Sequence, residues 1–394
     1  MESRGLLWGC GAVGCLVICG AMALALYFAC PLIRLATLDS SGFVDPRAFG
    51  LGRPSSLDTP GIRLGEEGLA QRTFVDVSGP SPVTDIREAD FFADGATLIG
   101  VASRNGAVFV NERGEVIREV RFDCDADHVD ILPGWDGTPY AFLNRGSWAV
   151  TPSLIGADGK EVWRYVVKSN ADPFPAGVDD MAAGDLDGDG TPEFVVGFNG
   201  QHGVHLLDAD GNRMWRSACA NVWHVEATSA TGDGQRRIVH SDASGMLTVR
   251  DVTGAVVTAF APGSYASFFS LARWPGDATR DVVVMAADER VHVVGLNGVA
   301  VADLRAPACS RLGEARATTV RFGGEIGTCF AVLVDKEAWG RAVLYVYAES
   351  RELVFMRVFS APCASIATHE DPETGSDCLL VGATGQVIAF RAQR

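Results

Sequence analysis

The feature that most constrains this chain is a short apolar run after a Gly/Asp-rich turn, repeated seven times. The runs are Leu98-Ile-Gly-Val101, Tyr140-Ala-Phe-Leu143, Phe194-Val-Val-Gly197, Ile238-Val-His-Ser241, Val282-Val-Val-Met285, Phe330-Ala-Val-Leu333 and Leu379-Leu-Val-Gly382. Their starts lie 42 to 54 residues apart. At such a period each repeat is one supersecondary unit that cannot bury its apolar face alone and must stack on its neighbours. The turns before the runs are Asp94-Gly95, Asp136-Gly137, Asp189-Gly190, Asp233-Gly234, Gly276-Asp277, Gly324-Glu325 and Gly375-Ser376. A second apolar segment and a second turn follow most runs, as in Leu206-Leu-Asp-Ala-Asp210-Gly211 and Val291-His-Val-Val-Gly-Leu-Asn297-Gly298. Asp-Gly and Asn-Gly between alternating strands are hairpin signals, read here as type I′ turns with positive φ at both central residues.

Each unit is therefore a four-stranded meander, and seven such units predict an all-β chain folded as a seven-bladed β-propeller over residues 70–394. The last unit stops after Gln386-Val-Ile-Ala-Phe390, one strand short, while Gln71-Arg-Thr-Phe-Val-Asp-Val77 precedes the first unit without a partner. Placing residues 71–77 as the outer strand of the last blade closes the ring and removes two open sheet edges.

Ahead of the repeats, residues 5–33 carry no charge and are mostly apolar. Roughly 20 apolar residues cross a bilayer, so residues 1–35 are expected to form a single transmembrane helix, a membrane anchor or signal-anchor, with a cleaved signal peptide as the alternative. Residues 36–69, rich in Gly, Pro, Ser and Asp, read as a flexible stalk. The whole chain carries 49 acidic and 33 basic residues, a formal charge of −16. Such a surface repels nucleic acid and anionic lipid. Beyond the apolar segment stand Cys124, Cys219, Cys309, Cys329, Cys363 and Cys378, with no CxxC among them, which removes zinc-ribbon, thioredoxin-like and haem-attachment readings. Cys363 and Cys378 flank one hairpin, so either a bridge or two buried thiols is open.

The densest chemistry is Asp185-Leu-Asp187-Gly-Asp189-Gly190-Thr191-Pro-Glu193. Carboxylates at positions 1, 3, 5 and 9, with the carbonyl of position 7, offer the hard oxygen shell that Ca²⁺ prefers. An EF-hand would place a bidentate Glu at position 12, but that position is Val196 inside a strand. A solvated acidic turn is the alternative. The Asp-x-Asp-x-Asp-Gly-x-x-Glu element between two strands, followed by Gly197-Phe198, resembles the FG-GAP (VCBS) repeat of integrin α-subunit propellers and many bacterial surface proteins. That resemblance implies Ca²⁺ held by Asp185, Asp187, Asp189, the Thr191 carbonyl and Glu193. The other six units keep one or two acids, which does not extend the implication to them. Leu154-Ile-Gly-Ala-Asp158-Gly-Lys-Glu-Val-Trp163-Arg and Leu206-Leu-Asp208-Ala-Asp210-Gly-Asn-Arg-Met-Trp215-Arg are more weakly similar to quinoprotein-type propeller repeats, in which the tryptophan packs between blades.

His128-Val-Asp130 and His224-Val-Glu226 occupy corresponding places at the innermost strands of units two and four. Two readings are open: a metal or acid–base site, or groups that line the channel and satisfy backbone donors. Cys124 and Cys219 precede these histidines by four and five residues, so a thiolate–imidazole pairing is a third arrangement. Gly-x-Ser-x-Gly, Walker-type loops and His-Glu-x-x-His are absent. The expected function is a membrane-anchored, extracytoplasmic, calcium-stabilised binding or scaffold module for a protein or glycan ligand, at the cell surface or in the periplasm. The alternative is a channel-centred enzyme such as a polysaccharide lyase or hydrolase.

Overall fold

The computed structural model describes residues 69–77, 81–122, 126–144, 151–167, 177–228, 235–262, 266–307, 309, 313–336, 341–372 and 374–393. The chain divides into two units, Met1–Asp58 and Thr59–Arg394, and every described residue lies in the second. The predicted anchor and nearly all of the predicted stalk fall outside the described residues, among which no helix is long and apolar enough to cross a membrane.

The described residues form 28 strands in seven four-stranded sheets, each an antiparallel meander. Blade 1 runs from Val83 to Arg121, blade 2 from His128 to Arg164, blade 3 from Val178 to Ser217, and blade 4 from Val222 to Phe260. Blade 5 runs from Ser270 to Arg305, blade 6 from Glu314 to Val358, and blade 7 from Cys363 to Ala392. The fourth strand of blade 7 is Leu69–Asp76, which pairs with Gln386–Ala392 in the register Leu69↔Ala392 to Asp76↔Gln386. The closing strand begins two residues ahead of the predicted segment. Its Phe74 and Val75 are buried among residues of blades 7 and 1, so the chain start is tied to the chain end.

The core is a set of slabs between neighbouring sheets. Leu154, Phe142, Phe194 and Val196 fill the slab of blades 2 and 3, and Val195, Leu206, Val222 and Ile238 fill that of blades 3 and 4. This geometry explains the fully buried second strands, such as Glu193–Phe198, which is apolar after its first residue and buried along its whole length because both its faces meet a sheet. Trp163 and Trp215 act as the weaker resemblance implied. The indole N–H of Trp163 donates to Ala209 O at 2.9 Å, and that of Trp215 to Val252 O at 2.7 Å, each reaching the next blade. Their rings lie on Gly211 and Gly254, where an added Cβ would meet ring carbons at 2.7 and 2.9 Å.

The outer hairpin turns differ from the expected type I′ form. The Gly211 N–H donates to Asp208 O and the Gly254 N–H to Asp251 O, while the Asp208 and Asp251 carboxylates accept the following turn amides. Only the glycine of each turn has positive φ, and the strand register slips by one residue after it. These are type I turns with a glycine bulge, favoured because the Asp side chain mimics a backbone acceptor. Type I′ occurs instead between Ala287 and Arg290, with Asp288 and Glu289 at φ 52° and 61°.

Candidate functional site

The first strand of every blade lies innermost, and these strands pack on one another around the central channel. In blades 1, 3, 4 and 7 this strand carries a bulge near its start, at Val83/Asp85, Val178/Asp180, Val222/His224 and Cys363/Ser365. The bulge sets the next side chain against the neighbouring blade. Asp180 in blade 3 is the hub of the arrangement. Its Oδ2 accepts the Val225 N–H of blade 4 at 2.9 Å and pairs with His224 Nδ1, while its Oδ1 lies 3.2 Å from His128 Nδ1 of blade 2. The outer nitrogens of the two imidazoles reach carboxylates as well. His224 Nε2 lies 3.2 Å from Glu226, and His128 Nε2 lies 3.5 Å from Asp130. Glu226 passes the chain on to blade 5 by accepting the Leu271 N–H at 2.6 Å.

Five ionisable groups thus alternate in sign across three blades. Burial alone would push both histidines down, but the carboxylates outweigh it. Asp180 and Glu226 hold His224 up at about 10, and Asp130 and Asp180 hold His128 up at about 9. Burial raises Asp180, and the two imidazolium charges override this and keep it below its usual range. His224 is 6% exposed in its side chain and His128 33%, so water screens the His128 pair far more. The Phe268 ring stacks on His224 at 4.0 Å, and the Arg316 guanidinium lies over Phe268 at 4.6 Å.

Comparable contacts cross the other seams. Asp85 accepts the Ile131 N–H at 3.0 Å between blades 1 and 2. Ser270 Oγ accepts the Ala317 N–H at 3.2 Å between blades 5 and 6, and Asp377 accepts the Arg321 N–H at 2.7 Å between blades 6 and 7. Between blades 7 and 1, Ser365 Oγ donates to Val83 O at 2.9 Å and His369 Nδ1 lies 3.2 Å from Glu88. The two predicted His–carboxylate pairs are therefore brought together, through Asp180, into a seam that satisfies backbone donors. Sequence reasoning passed over Asp180 and Asp85. The available signal was their recurrence, with Asp130, at one repeat spacing in the same strand.

The acidic loop lies at the far end of blade 3, between the strands Val178–Gly184 and Glu193–Phe198. Asp185, Asp187 and Glu193 each offer an oxygen within 4.8 Å of the others. Glu193 is 3% exposed and accepts the Leu186 and Asp187 N–H groups at 2.6 and 3.3 Å. Burial, followed by the Asp187 and Asp189 charges, raises its carboxyl above the usual range against those bonds. Asp189 turns to the Thr191 N–H and hydroxyl at 2.7 and 2.6 Å, which lowers its own carboxyl. Arg236 of blade 4 reaches Asp185 at 3.3 Å. Gly188 and Gly190, at φ 85° and 92°, give the loop its two left-handed corners.

The cysteines separate. Cys363 pairs in register with Ala383, and Cys378 with His369, so the two sit at opposite ends of their hairpin. Cys363 packs between blades 6 and 7 and Cys378 between blades 7 and 1, both as buried thiols, and a bridge between them is excluded. Cys219 packs beside Trp215, with Asp242 and Arg250 as its charged neighbours rather than His224. Cys124 lies outside the described residues.

No protein-family model matches the chain, and no curated protein matches it. Solved structures do. The chain is similar to the structure described as BBS1N in complex with ARL6DN, soaked with lead, at 15% identity and a TM-score of 0.55 over 83% of this chain and 97% of that one. The mercury-soaked form of the same complex gives 13% identity and a TM-score of 0.54 over 82% and 96%. The Pan2 WD40 domain of Neurospora crassa gives 12% identity and a TM-score of 0.49 over 84% and 97%. At these identities the first two likenesses are likenesses of fold.

Proposed function

We propose that this chain is a protein-binding scaffold, a propeller held outside the cytoplasm by its apolar N-terminal segment and stiffened by Ca²⁺ in the blade 3 loop. The observation that carries the reading is the use of the channel's ionisable groups. His128, Asp180, His224 and Glu226 bind one another and neighbouring backbone amides, which suits a rigid ring presenting loops from every blade. The fold's neighbour was solved in complex with a second protein, ARL6DN, in keeping with this use of a propeller. In the finer reading, the FG-GAP likeness assigns the ion to Asp185, Asp187, Asp189, the Thr191 carbonyl and Glu193. The donor set fits a hard cation: all ligands are oxygens, and the buried Glu193 carboxylate lies beside Asp187 at a cost that a divalent charge would offset. When bound, Ca²⁺ supplies that charge. The chain's own residues supply the loop geometry and the link to blade 4 through Arg236.

Full-length protein in millimolar calcium, used as bait for cell-surface proteins and applied in parallel to a glycan array, tests the reading. Retention of one defined protein, repeated with purified components, is the expected outcome. Binding confined to the array moves the reading to a glycan ligand, and depolymerisation of a polysaccharide replaces it with an enzyme. Protease added to intact cells should remove the propeller; protection until the membrane is opened reverses the placement.

A further inference from the structure

The end of the ring that carries the acidic loop also holds a cleft between blades 6 and 7, with a volume of about 450 Å³. That lies inside the roughly 300–1,000 Å³ range of small-molecule sites. Phe322 and Gly323 end the innermost strand of blade 6 and form one wall. Asp371, Thr374 and Ser376, from the turn between the first two strands of blade 7, form the other with Asp377 and Arg391. The walls meet at Gly323, which has φ 73° and where an added Cβ would lie 2.5 Å from Ser376 Oγ. At the next residue, Gly324, an added Cβ would meet no atom within 4 Å, so the space opens there.

The charges of the cleft are paired within its walls. Asp371 Oδ2 lies 2.8 Å from Arg391 Nη1, and Asp377 accepts the Arg321 N–H at 2.7 Å and lies 3.3 Å from the Arg321 guanidinium, which also approaches Glu370 at 3.8 Å. The two lining carboxylates are nearly closed off, with side chains 5% and 10% exposed. The groups a ligand can reach are the Arg391 guanidinium, 28% exposed in its side chain, the exposed Thr374 and the half-buried Ser376. Thr374 Oγ1 accepts the Ser376 N–H at 3.3 Å, which leaves its O–H to donate. An anion is disfavoured here, because Asp371 already neutralises Arg391 and Asp377 stands beside them. A cation finds both carboxylates held by guanidinium groups. An apolar ligand would strip water from a guanidinium and two hydroxyls without replacing its hydrogen bonds. A neutral ligand rich in hydroxyls fits, since each hydroxyl both donates and accepts and brings no charge to desolvate.

We propose that the cleft between blades 6 and 7 binds a neutral mono- or disaccharide unit, with Arg391, Thr374 and Ser376 as its polar contacts. Asp371 acts behind Arg391 as a positioning residue, because its ion pair fixes the guanidinium before the sugar arrives. A free sugar and the terminal unit of a glycan share this chemistry. The inference goes beyond the scaffold reading and does not rest on it.

The test is saturation-transfer NMR on the full-length protein, in a detergent without a sugar headgroup, with lactose, maltose, cellobiose and diacetylchitobiose as probes. Transfer to at least one of them is expected. Thr374→Trp, which fills the cleft from its exposed side, should abolish the signal. Ser376→Ala should weaken binding by about fivefold, the loss of one hydrogen bond. Both variants should keep the wild-type circular dichroism, and the second carries the test if the first fails to fold. Longer oligosaccharides of the binding series separate the two sources: affinity that rises with length marks a glycan, and level affinity marks a free sugar. Absence of transfer from all the probes, unchanged affinity in the folded variants, or displacement of the sugar by inorganic phosphate overturns the proposal. None of these results depends on capture of a protein partner, so the scaffold reading stands or falls separately.

Discussion

The seam between blades 3 and 4 and the seam between blades 6 and 7 join similar pairs of sheets by different physics. Among the described residues, the 6–7 seam packs fifteen buried residues into one cluster, from Leu69 and Val320 to Phe390. The 3–4 seam packs eight. Where the apolar slab is smaller, the innermost strands carry the Asp180–His224–Glu226 chain. Apolar packing is non-directional and indifferent to pH. A buried ion pair is neither. Its desolvation cost is recovered only while both partners are charged and in place, so it can specify which strand sits beside which without adding much net stability.

Removing one partner should show the largest contrast. Asp180→Ala leaves two imidazolium groups facing each other, and at pH 6 the loss in urea unfolding should be about 3–5 kcal/mol. Phe390→Ala, in the apolar seam, should cost a similar amount, about 3–5 kcal/mol. The two separate with pH. At pH 10.5 the imidazoles are neutral and the Asp180→Ala cost should shrink by more than half, while the Phe390→Ala cost stays level. Equal pH behaviour of the two variants would remove the distinction between the seams.

The wild-type protein should show the same effect less steeply. His128 and His224 are raised in the folded state to about 9 and about 10, above an unfolded value near 6.5. Their contribution is therefore complete below pH 6.5 and is lost as pH rises through 9 to 10, the larger part of it from the better-buried His224. Asp180 has the opposite sign. Its folded value is depressed, so its share is present above the unfolded value and is lost as pH falls through the folded one. Melting temperatures followed from pH 4 to 10.5 should decline on the alkaline side above pH 6.5, and the His224→Gln variant should flatten that decline.

The smallest expected effect sharpens the comparison at the other end of blade 3. Calcium at a hundredfold excess over its dissociation constant should stabilise the protein by about 2.7 kcal/mol. Asp187→Ala should abolish this gain and change stability in chelator far less. Identical melting of the wild type in chelator and in millimolar calcium, with no heat of binding, would leave the loop as a turn.

The ring was legible because its signals are local. An apolar run after a Gly/Asp turn can be read in any ten residues, and the missing fourth strand beside the partnerless segment at residues 71–77 pointed to closure at a distance. The acidic loop was legible for the same reason, since its carboxylates belong to one stretch. Asp180 was not. Its two imidazoles come from neighbouring blades; His128 and His224 stand out beside their own carboxylates, but nothing in the strand of Asp180 points to either. The hairpin turns were misread because Asp-Gly is compatible with two turn types, and the choice fell to the bulge that keeps the following tryptophan over the next blade's glycine.

The sequence by itself determined the number of units, their strand composition and the place of the acidic loop, because each depends on neighbours along the chain. Only the closed ring decided which carboxylate meets which imidazole and that Cys363 and Cys378 face different seams. Closure sets the register of each blade against the next, and a side chain's partner across a seam exists only once that register is set.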